Sequence, residues 1–337
     1  MATTRREMLV AAAGGLLTAG LGGMLVNAPR ASGETEITPV ISKGRTKIVI
    51  LGSQGGQQIS QLTGAGVRCG TSVLIDVDGV LTILDCGCGS THRIAEAGYD
   101  LNQVRNIIIT HYHQDHVAEL GSMASFAWST GRNGLDKKRR LDVYGPTGTK
   151  RYEKGFKQSV WLSINDQQTK LGQRPYFNKF AFWHEFKPPL HTKKIFSSGK
   201  WDIRATRVKH GGMPAVGYRI RTPDVDMVFS GDRGRKGDNF ASFAKGADVL
   251  FHEIIAEGLV VSNLTAQGQA KSFISHLVND HCNPETVGRV ATKAGVGTLV
   301  LYHLIPGNPG LVDAFWKGQV APYYDGEVIV ARDLMVV

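Results

Sequence analysis

The heptapeptide Thr110-His-Tyr-His-Gln-Asp-His116 directly follows the apolar run Ile107-Ile108-Ile109. A buried strand therefore ends where the histidines begin. Side chains alternate along extended backbone, so His111 and His113 point the same way and can share one metal ion. Asp115 and His116 fall where a helix should start, and can turn towards a second metal beside the first. Imidazole nitrogen and carboxylate oxygen suit zinc, and a catalytic site keeps one position open for water. Buried polar groups cost several kcal/mol unless they are paired. A chance surface cluster is thus the poorer explanation of three histidines and an aspartate within positions 111–116.

Around this string the chain reads as short apolar runs rich in β-branched residues, bounded by glycine or polar turns. Strands are expected at Lys47–Leu51, Ser72–Val77, Val80–Leu84, Asn106–Thr110 and Leu141–Tyr144. A helical pattern runs from Asp115 to about Trp128. Residues 148–195 differ, being rich in aromatic and basic side chains such as Phe156, Trp161, Tyr176, Phe177, Phe180, Phe182 and Trp183. They read as an inserted helical and loop segment that either walls a pocket or packs as a satellite core. Strands return at Trp201–Val208, Ala215–Arg221, Asp226–Ser230 and Asp248–Phe251, followed by helices over 262–274 and 284–294. The strand Thr298–Tyr302 and a final pair, Glu327–Ala331 and Leu334–Val337, close the chain. Strands, helix, strands, helices and strand in this order, with a weak echo between halves, predict an α/β fold. It is a four-layer αβ/βα sandwich of two facing sheets with helices outside.

The start of the chain stands apart. Arg5-Arg6 precede a Gly/Ala/Leu-rich run ending at Val26, with small residues at Ala31-Ser32-Gly33. A basic start, an apolar middle and a small-residue exit describe an export signal, and the paired arginines point to the twin-arginine route. The expected organisation is a signal at 1–33, a polar linker at 34–46 and one folded domain at 47–337 carrying the insertion at about 148–195. The expected location is periplasmic or otherwise exported, with no stable membrane association once the signal is removed. Net charge is +10, which favours anionic partners over neutral ones. The four cysteines, Cys69, Cys86, Cys88 and Cys282, fit no zinc-ribbon spacing, and a chain of this length needs no disulfide framework.

The His-x-His-x-Asp-His string matches the signature of the metallo-β-lactamase superfamily, and Leu84-Asp-Cys-Gly before it resembles that family's Asp-Cys-Gly turn. Three further motifs arrive in the family's order. Val208-Lys-His210 resembles the third motif, Phe229-Ser-Gly-Asp232 the fourth and Leu301-Tyr-His303 the last. The resemblance implies a seven-ligand, two-zinc site of His111, His113, Asp115, His116, His210, Asp232 and His303, with Asp232 between the metals. Manganese or iron can occupy similar ligands. Pro214-Ala-Val-Gly-Tyr-Arg219, Phe251-His-Glu253 and His281-Cys-Asn-Pro-Glu-Thr resemble the ribonuclease Z branch and its exported arylsulfatase-like relatives.

That branch implies ester hydrolysis in which a metal-bridging hydroxide attacks, Asp115 and Asp232 are part of the catalytic centre, and His281 serves the leaving oxygen. His276 is a rival for the last role. Glu253 either orients a histidine or caps a helix. Lys209, Arg219 and Arg233 either bind an anionic substrate or are ordinary surface charges. Cys282 stands where ribonuclease Z usually has Ser or Thr. Export also removes precursor tRNA from reach. The leading expectation is therefore an exported arylsulfatase-like hydrolase of a small anionic sulfate or phosphate ester. A ribonuclease Z-like phosphodiesterase acting on nucleic acid stands second. A non-catalytic metal-binding protein stands third, since a structural zinc site is closed with four ligands rather than seven. A homodimer is compatible with all three.

Overall fold

A computed structural model describes residues 41–42, 44–56, 68–130, 140–172, 175–235, 239–308 and 310–337. The expected signal at 1–33, and the linker up to residue 40, lie outside the described residues. Six strands form the first sheet in chain order: β1 (Thr46–Gly52), β2 (Ser72–Val77), β3 (Val80–Leu84), β4 (Val104–Ile108), β5 (Leu141–Pro146) and β6 (Ala181–Phe186). The second holds β7 (Lys193–Ser197), β8 (Asp202–His210), β9 (Met213–Arg221), β10 (Asp226–Phe229), β11 (Val249–Ile255), β12 (Thr298–Ile305) and β13 (Glu327–Val330), again side by side in sequence order. Each sheet starts antiparallel and becomes parallel, the first from β3 onward and the second from β10 onward. This is the physical content of the weak echo between the halves.

Strand alternation divides the core into layers. Ile48, Ile50, Val73 and Ile75 pack between the sheets with Tyr218, Phe229, Phe251, Val300 and Tyr302. Their neighbours Val49, Leu51 and Leu74 face the other way, onto helices. Leu250, Leu299 and Leu301 do the same on the second sheet. Parallel strands covered on both faces read as continuous apolar runs, which is why β11 and β12 show so little polar sequence.

The outer layers are α1 (Ser90–Glu96), α2 (Gln114–Val117), α3 (Leu120–Thr130), α4 (Thr149–Ser159), α5 (Trp161–Thr169) and α6 (Phe177–Phe180) in the first half. The second half supplies α7 (Phe240–Ala244), α8 (Glu257–Ala266), α9 (Lys271–Asp280), α10 (Pro284–Ala294) and α11 (Asp313–Val320). The segment 148–195 contains α4 to α6, then the edge strand β6 and the start of β7. α10 keeps its expected bounds because its ends are written in the sequence. Asn283 accepts from Thr286 N at 3.1 Å, Pro284 opens the first turn, and Gly295 closes it at φ 62°. The helix expected over 262–274 is instead two, α8 and α9, broken at Gly268, whose φ of 71° no helix interior adopts. The expected last strand is a looser attachment. Leu334 N donates to Ile50 O, Ile50 N to Met335 O and Val337 N to Ile48 O, so the tail runs along β1. Among the described residues no helix is long and apolar enough to cross a membrane.

Candidate metal centre

The site residues sit where strands end. Asp85 follows β3, Thr110 to His116 follow β4, His210 ends β8, and Asp232 follows β10. Glu253 and His303 lie in the last halves of β11 and β12. Open α/β sheets place ligands outside the carboxyl ends of their parallel strands, and here both sheets contribute to one such edge.

Two donor groups share Asp232. In the first, His111, His113, His210 and Asp232 bring their donor atoms within 4.8 Å of one another; in the second, Asp115, His116, Asp232 and His303 do the same. His113 Nδ1 lies 3.1 Å from His111 Nε2 and 3.0 Å from His210 Nε2. Asp232 Oδ2 stands 3.8 Å from His111 Nε2, 3.6 Å from His210 Nε2 and 3.2 Å from His303 Nε2. Asp115 Oδ2 is 3.2 Å from His303 Nε2. All seven residues are buried except His113, which is partly exposed and marks the open side.

The hydrogen bonds behind these rings determine what the inner nitrogens carry. A carboxylate only accepts. His116 Nδ1 lies 2.7 Å from Asp85 Oδ2, so Nδ1 carries a proton and Nε2 is the nitrogen left to meet a cation. Thr110 Oγ1 also donates to Asp85 Oδ2 at 2.7 Å, so its own lone pair is left for the Nδ1 proton of His111 at 3.1 Å. His210 Nδ1 donates to Asp280 O at 2.9 Å. Three Nε2 atoms therefore converge on buried carboxylates, each ring held from behind through its Nδ1. Among the described residues, His116 Nε2 and Asp232 Oδ1 have no hydrogen-bond partner. Such an array suits cations. Tetrahedral zinc with Zn–N near 2.1 Å spaces its ligands about 3.4 Å apart, close to the separations seen here. The residues fit divalent metal in both groups.

Burial resists charge on His116, but the carboxylates of Asp232, Asp85 and Asp115 outweigh it and hold the ring well above the usual imidazole range, an excess of negative charge that a cation would neutralise. Burial drives the His111 and His210 imidazoles towards their neutral form, His210 to about 4. Burial also opposes charge on His281, but the Glu253 carboxylate 3.2 Å away, with Asp232 behind it, outweighs this and lifts the ring to about 9. Glu253 is itself fixed, its other oxygen accepting from Cys282 N at 2.7 Å. His281 stacks on His303 with centroids 5.6 Å apart and reaches to 3.9 Å from Asp232.

The remaining candidates separate cleanly. His276 is exposed and pairs with Asp280 Oδ2 at 2.6 Å, away from both donor groups. Arg219 is committed to Asp226 and to the carbonyls of Phe243 and Lys245. Arg233 is buried, bonded to His252 Nε2 at 3.2 Å and seated over Phe240. Lys209 is exposed beside His210. Three contributors had no role assigned from sequence. Asp85 holds His116 directly and His111 through Thr110, and the sequence marked it only as part of the Leu84-Asp-Cys-Gly turn, with no role. Gly55 and Gly56 also border the site. A Cβ on Gly55 would lie 2.5 Å from His303 Nδ1, and Gly56 N donates to Asp115 Oδ2 at 2.9 Å.

Known proteins resemble this chain in sequence and in fold. Ribonuclease Z of Mycobacterium bovis is 27% identical over 274 residues, covering 79% of this chain and 91% of that protein. Ribonuclease Z of Mycolicibacterium gilvum is 26% identical over 280 residues, covering 79% of this chain and 89% of its own length. Among solved structures, the metallo-beta-lactamase fold protein YhfI from Bacillus subtilis superposes with a TM-score of 0.60 at 21% identity, covering 87% of this chain and 98% of that one. The short form of human tRNase Z also gives 0.60, at 19% identity over 86% of this chain and 98% of its own. Zn(2+)-bound PqqB from Methylobacterium extorquens gives 0.58 at 16% identity, covering 86% and 99%. At these identities the superpositions establish the fold, a metallo-β-lactamase sandwich, and the chain is a metal-dependent hydrolase of ester bonds in the ribonuclease Z-like branch. The model of one family, described as anti-Pycsar protein Apyc1, matches residues 64–267, more than half of the chain, and the chain belongs to that family.

Proposed function

We propose that this chain is a two-metal phosphodiesterase. The observation that carries the reading is His281, clamped by Glu253 at the rim of two donor groups that share Asp232. A bound metal pair would lower the pKa of its water to about 7 and neutralise charge developing on the attacked phosphoryl group. The chain's own residues do the rest. Asp232 and Asp115 hold the carboxylate side of the array, and Asp85 keeps His111 and His116 in the tautomer that presents Nε2. His281, protonated at neutral pH, donates from Nε2 to the departing oxygen, while Glu253 holds its Nδ1 proton. The partly exposed His113 leaves the approach open on that face.

The ribonuclease Z relatives favour a phosphodiester over the aryl sulfate expected from the sequence. The signal-like start, Arg5-Arg6 with its apolar run, supports action outside the cytoplasm, reached through the twin-arginine route, and so a substrate other than precursor tRNA. Zinc is the proposed metal, two ions per chain. The test is a panel of an aryl phosphodiester, an aryl sulfate and structured RNA on zinc-loaded protein. The proposal expects the aryl phosphodiester to turn over fastest. Turnover of the sulfate alone would restore the arylsulfatase reading, and RNA cleavage falling steeply with salt would make nucleic acid the substrate. No turnover with metal bound would leave a metal-binding protein.

A further inference from the structure

The C-terminal tail places one carboxylate, Asp333, behind the metal centre without touching it. Its Oδ1 accepts from Ser53 N at 3.0 Å and from Ser53 Oγ at 2.7 Å. Its Oδ2 accepts from Cys69 N at 2.6 Å and from Arg93 Nη2 at 3.4 Å. The side chain is only 9% exposed. One carboxylate thus grips two chain segments that flank the site, and Gln54 N donating to Cys69 O at 3.0 Å ties those segments to each other. Arg68 reinforces the grip, donating to Ser53 Oγ at 2.6 Å and to Ala331 O at 2.8 Å.

The gripped segment runs straight to the metal ligands. Leu304 N donates to Ser53 O and Gly55 N to Leu304 O, so residues 53–55 extend the pairing of β12 beside His303. Gly55 backs onto the His303 ring so closely that no side chain fits, and Gly56 N fixes Asp115 Oδ2. Both contacts fall on the group Asp115, His116, Asp232 and His303. Neither reaches His111, His113 or His210.

We propose that Asp333 is a positioning residue for that second donor group alone. It sets the affinity of one of the two metals by fixing the 53–56 segment against Asp115 and His303. This rests on the two-metal reading of the site. An asparagine at 333 has a single acceptor oxygen, so it must release either Ser53 or Cys69. Partners behind metal ligands typically contribute 10–100-fold in affinity.

The experiment is zinc titration of the full chain against a chromophoric chelator, which needs no substrate. Wild type is expected to take two equivalents. Asp333→Asn should keep one equivalent at wild-type affinity and bind the other at least 10-fold more weakly. Tyr324→Phe is the stability control. It removes the bonds to Val296 O and Gly297 O at the opposite end of β12, and should lower thermal stability with both equivalents unchanged. Ser53→Ala, which removes one bond of the grip, should weaken the same single equivalent to a lesser degree. It decides the question if Asp333→Asn does not fold. Two unaltered equivalents in Asp333→Asn, equal weakening of both, or an unaltered Ser53→Ala beside a misfolded Asp333→Asn would each overturn the proposal. Wild type taking fewer than two equivalents would overturn the two-metal reading and this proposal with it.

Discussion

Asp85→Asn removes one charge from a fully buried site while keeping the side chain's shape, and its effect can be worked out bond by bond. Asp85 Oδ1 accepts from Thr110 N at 2.8 Å, and Oδ2 accepts from both Thr110 Oγ1 and His116 Nδ1 at 2.7 Å. An asparagine whose oxygen keeps Thr110 N turns its NH2 towards the other two partners. His116 must then accept at Nδ1, which moves its proton to Nε2, the atom facing Asp232 at 3.3 Å. Thr110 Oγ1 can no longer donate to position 85 and turns its proton towards His111 Nδ1, which moves that ring's proton inward as well. The flipped amide is no better, since its NH2 then meets the Thr110 N–H head on. One substitution therefore puts protons on inner nitrogens in both donor groups.

A single partner behind a metal ligand is worth about 10–100-fold in metal affinity, or about 1.4–2.7 kcal/mol. With two histidines affected, the expected loss is on the order of 100-fold or more in zinc affinity. The fold should survive, because asparagine tolerates the left-handed backbone at this position, φ 58°. Asp85→Ala is the harsher change. It orphans three buried donors at about 1–3 kcal/mol each, a large part of the whole stability of a domain. The assay is zinc titration of Asp85→Asn, with circular dichroism as the check on folding. Hydrolysis should recover in part as free zinc is raised. A folded Asp85→Asn that binds two zinc ions as tightly as wild type would refute the tautomer assignment.

The same geometry predicts other outcomes. Asp232→Ala or His116→Ala should abolish hydrolysis and lower zinc content with the fold retained, and normal turnover in either would end the two-metal account. Glu253→Gln should lower kcat by about 10–100-fold, since it frees the His281 ring. The loss should be largest for esters with poor leaving groups, and an equal loss across a leaving-group series would show that His281 is not the proton donor. Asp226, half-buried between Arg219 and Arg221, resists being charged through burial, but its bonds to both guanidiniums hold its carboxyl below the usual range. The unfolded chain then binds the proton more readily, so this stability is present at neutral pH and fades as pH falls below about 4. Asp226→Asn should cost about 1 kcal/mol in urea unfolding at pH 7 and less at pH 4, and an equal cost at both would exclude the ion pairs as its source.

Legibility in the sequence divides along physical lines. The sandwich was readable because strand alternation and buried parallel runs are local patterns, and β2, β3 and α10 kept their expected bounds. The string His111 to His116 drew notice because polar side chains closing an apolar strand demand an explanation, whereas His210, Asp232 and His303 were picked out only by the resemblance of their motifs. The α8–α9 break was written in Gly268 but hidden by helical periodicity on both sides. Arg219 could not be told from a substrate ligand, because its partner Asp226 lies across a strand pair rather than at a helical spacing. Asp85 and Asp333 act across 25 to 280 positions, from Thr110 to Ser53, and no local pattern encodes such a span.

The backbone carries a last layer that residue types do not reveal. Asp85 and His303 both adopt left-handed conformations, at φ 58° and 47°. For a side chain other than glycine this costs roughly 1–2 kcal/mol, and histidine and aspartate are among the few residues that tolerate it as single positions. Strain of this kind persists only where the surroundings over-determine it. At His303 they do. The residue lies in the middle of the β11–β12 pairing, at the point where its register shifts between His252 and Ile254, and Gly55 closes over the ring from behind. An extended conformation at 303 would keep the strand regular but turn the imidazole away from Asp115 and Asp232. The glycine at 55, the register shift and the strained histidine are therefore one device. It bends a core strand at its carboxyl end so that a residue from the second sheet meets ligands from the first.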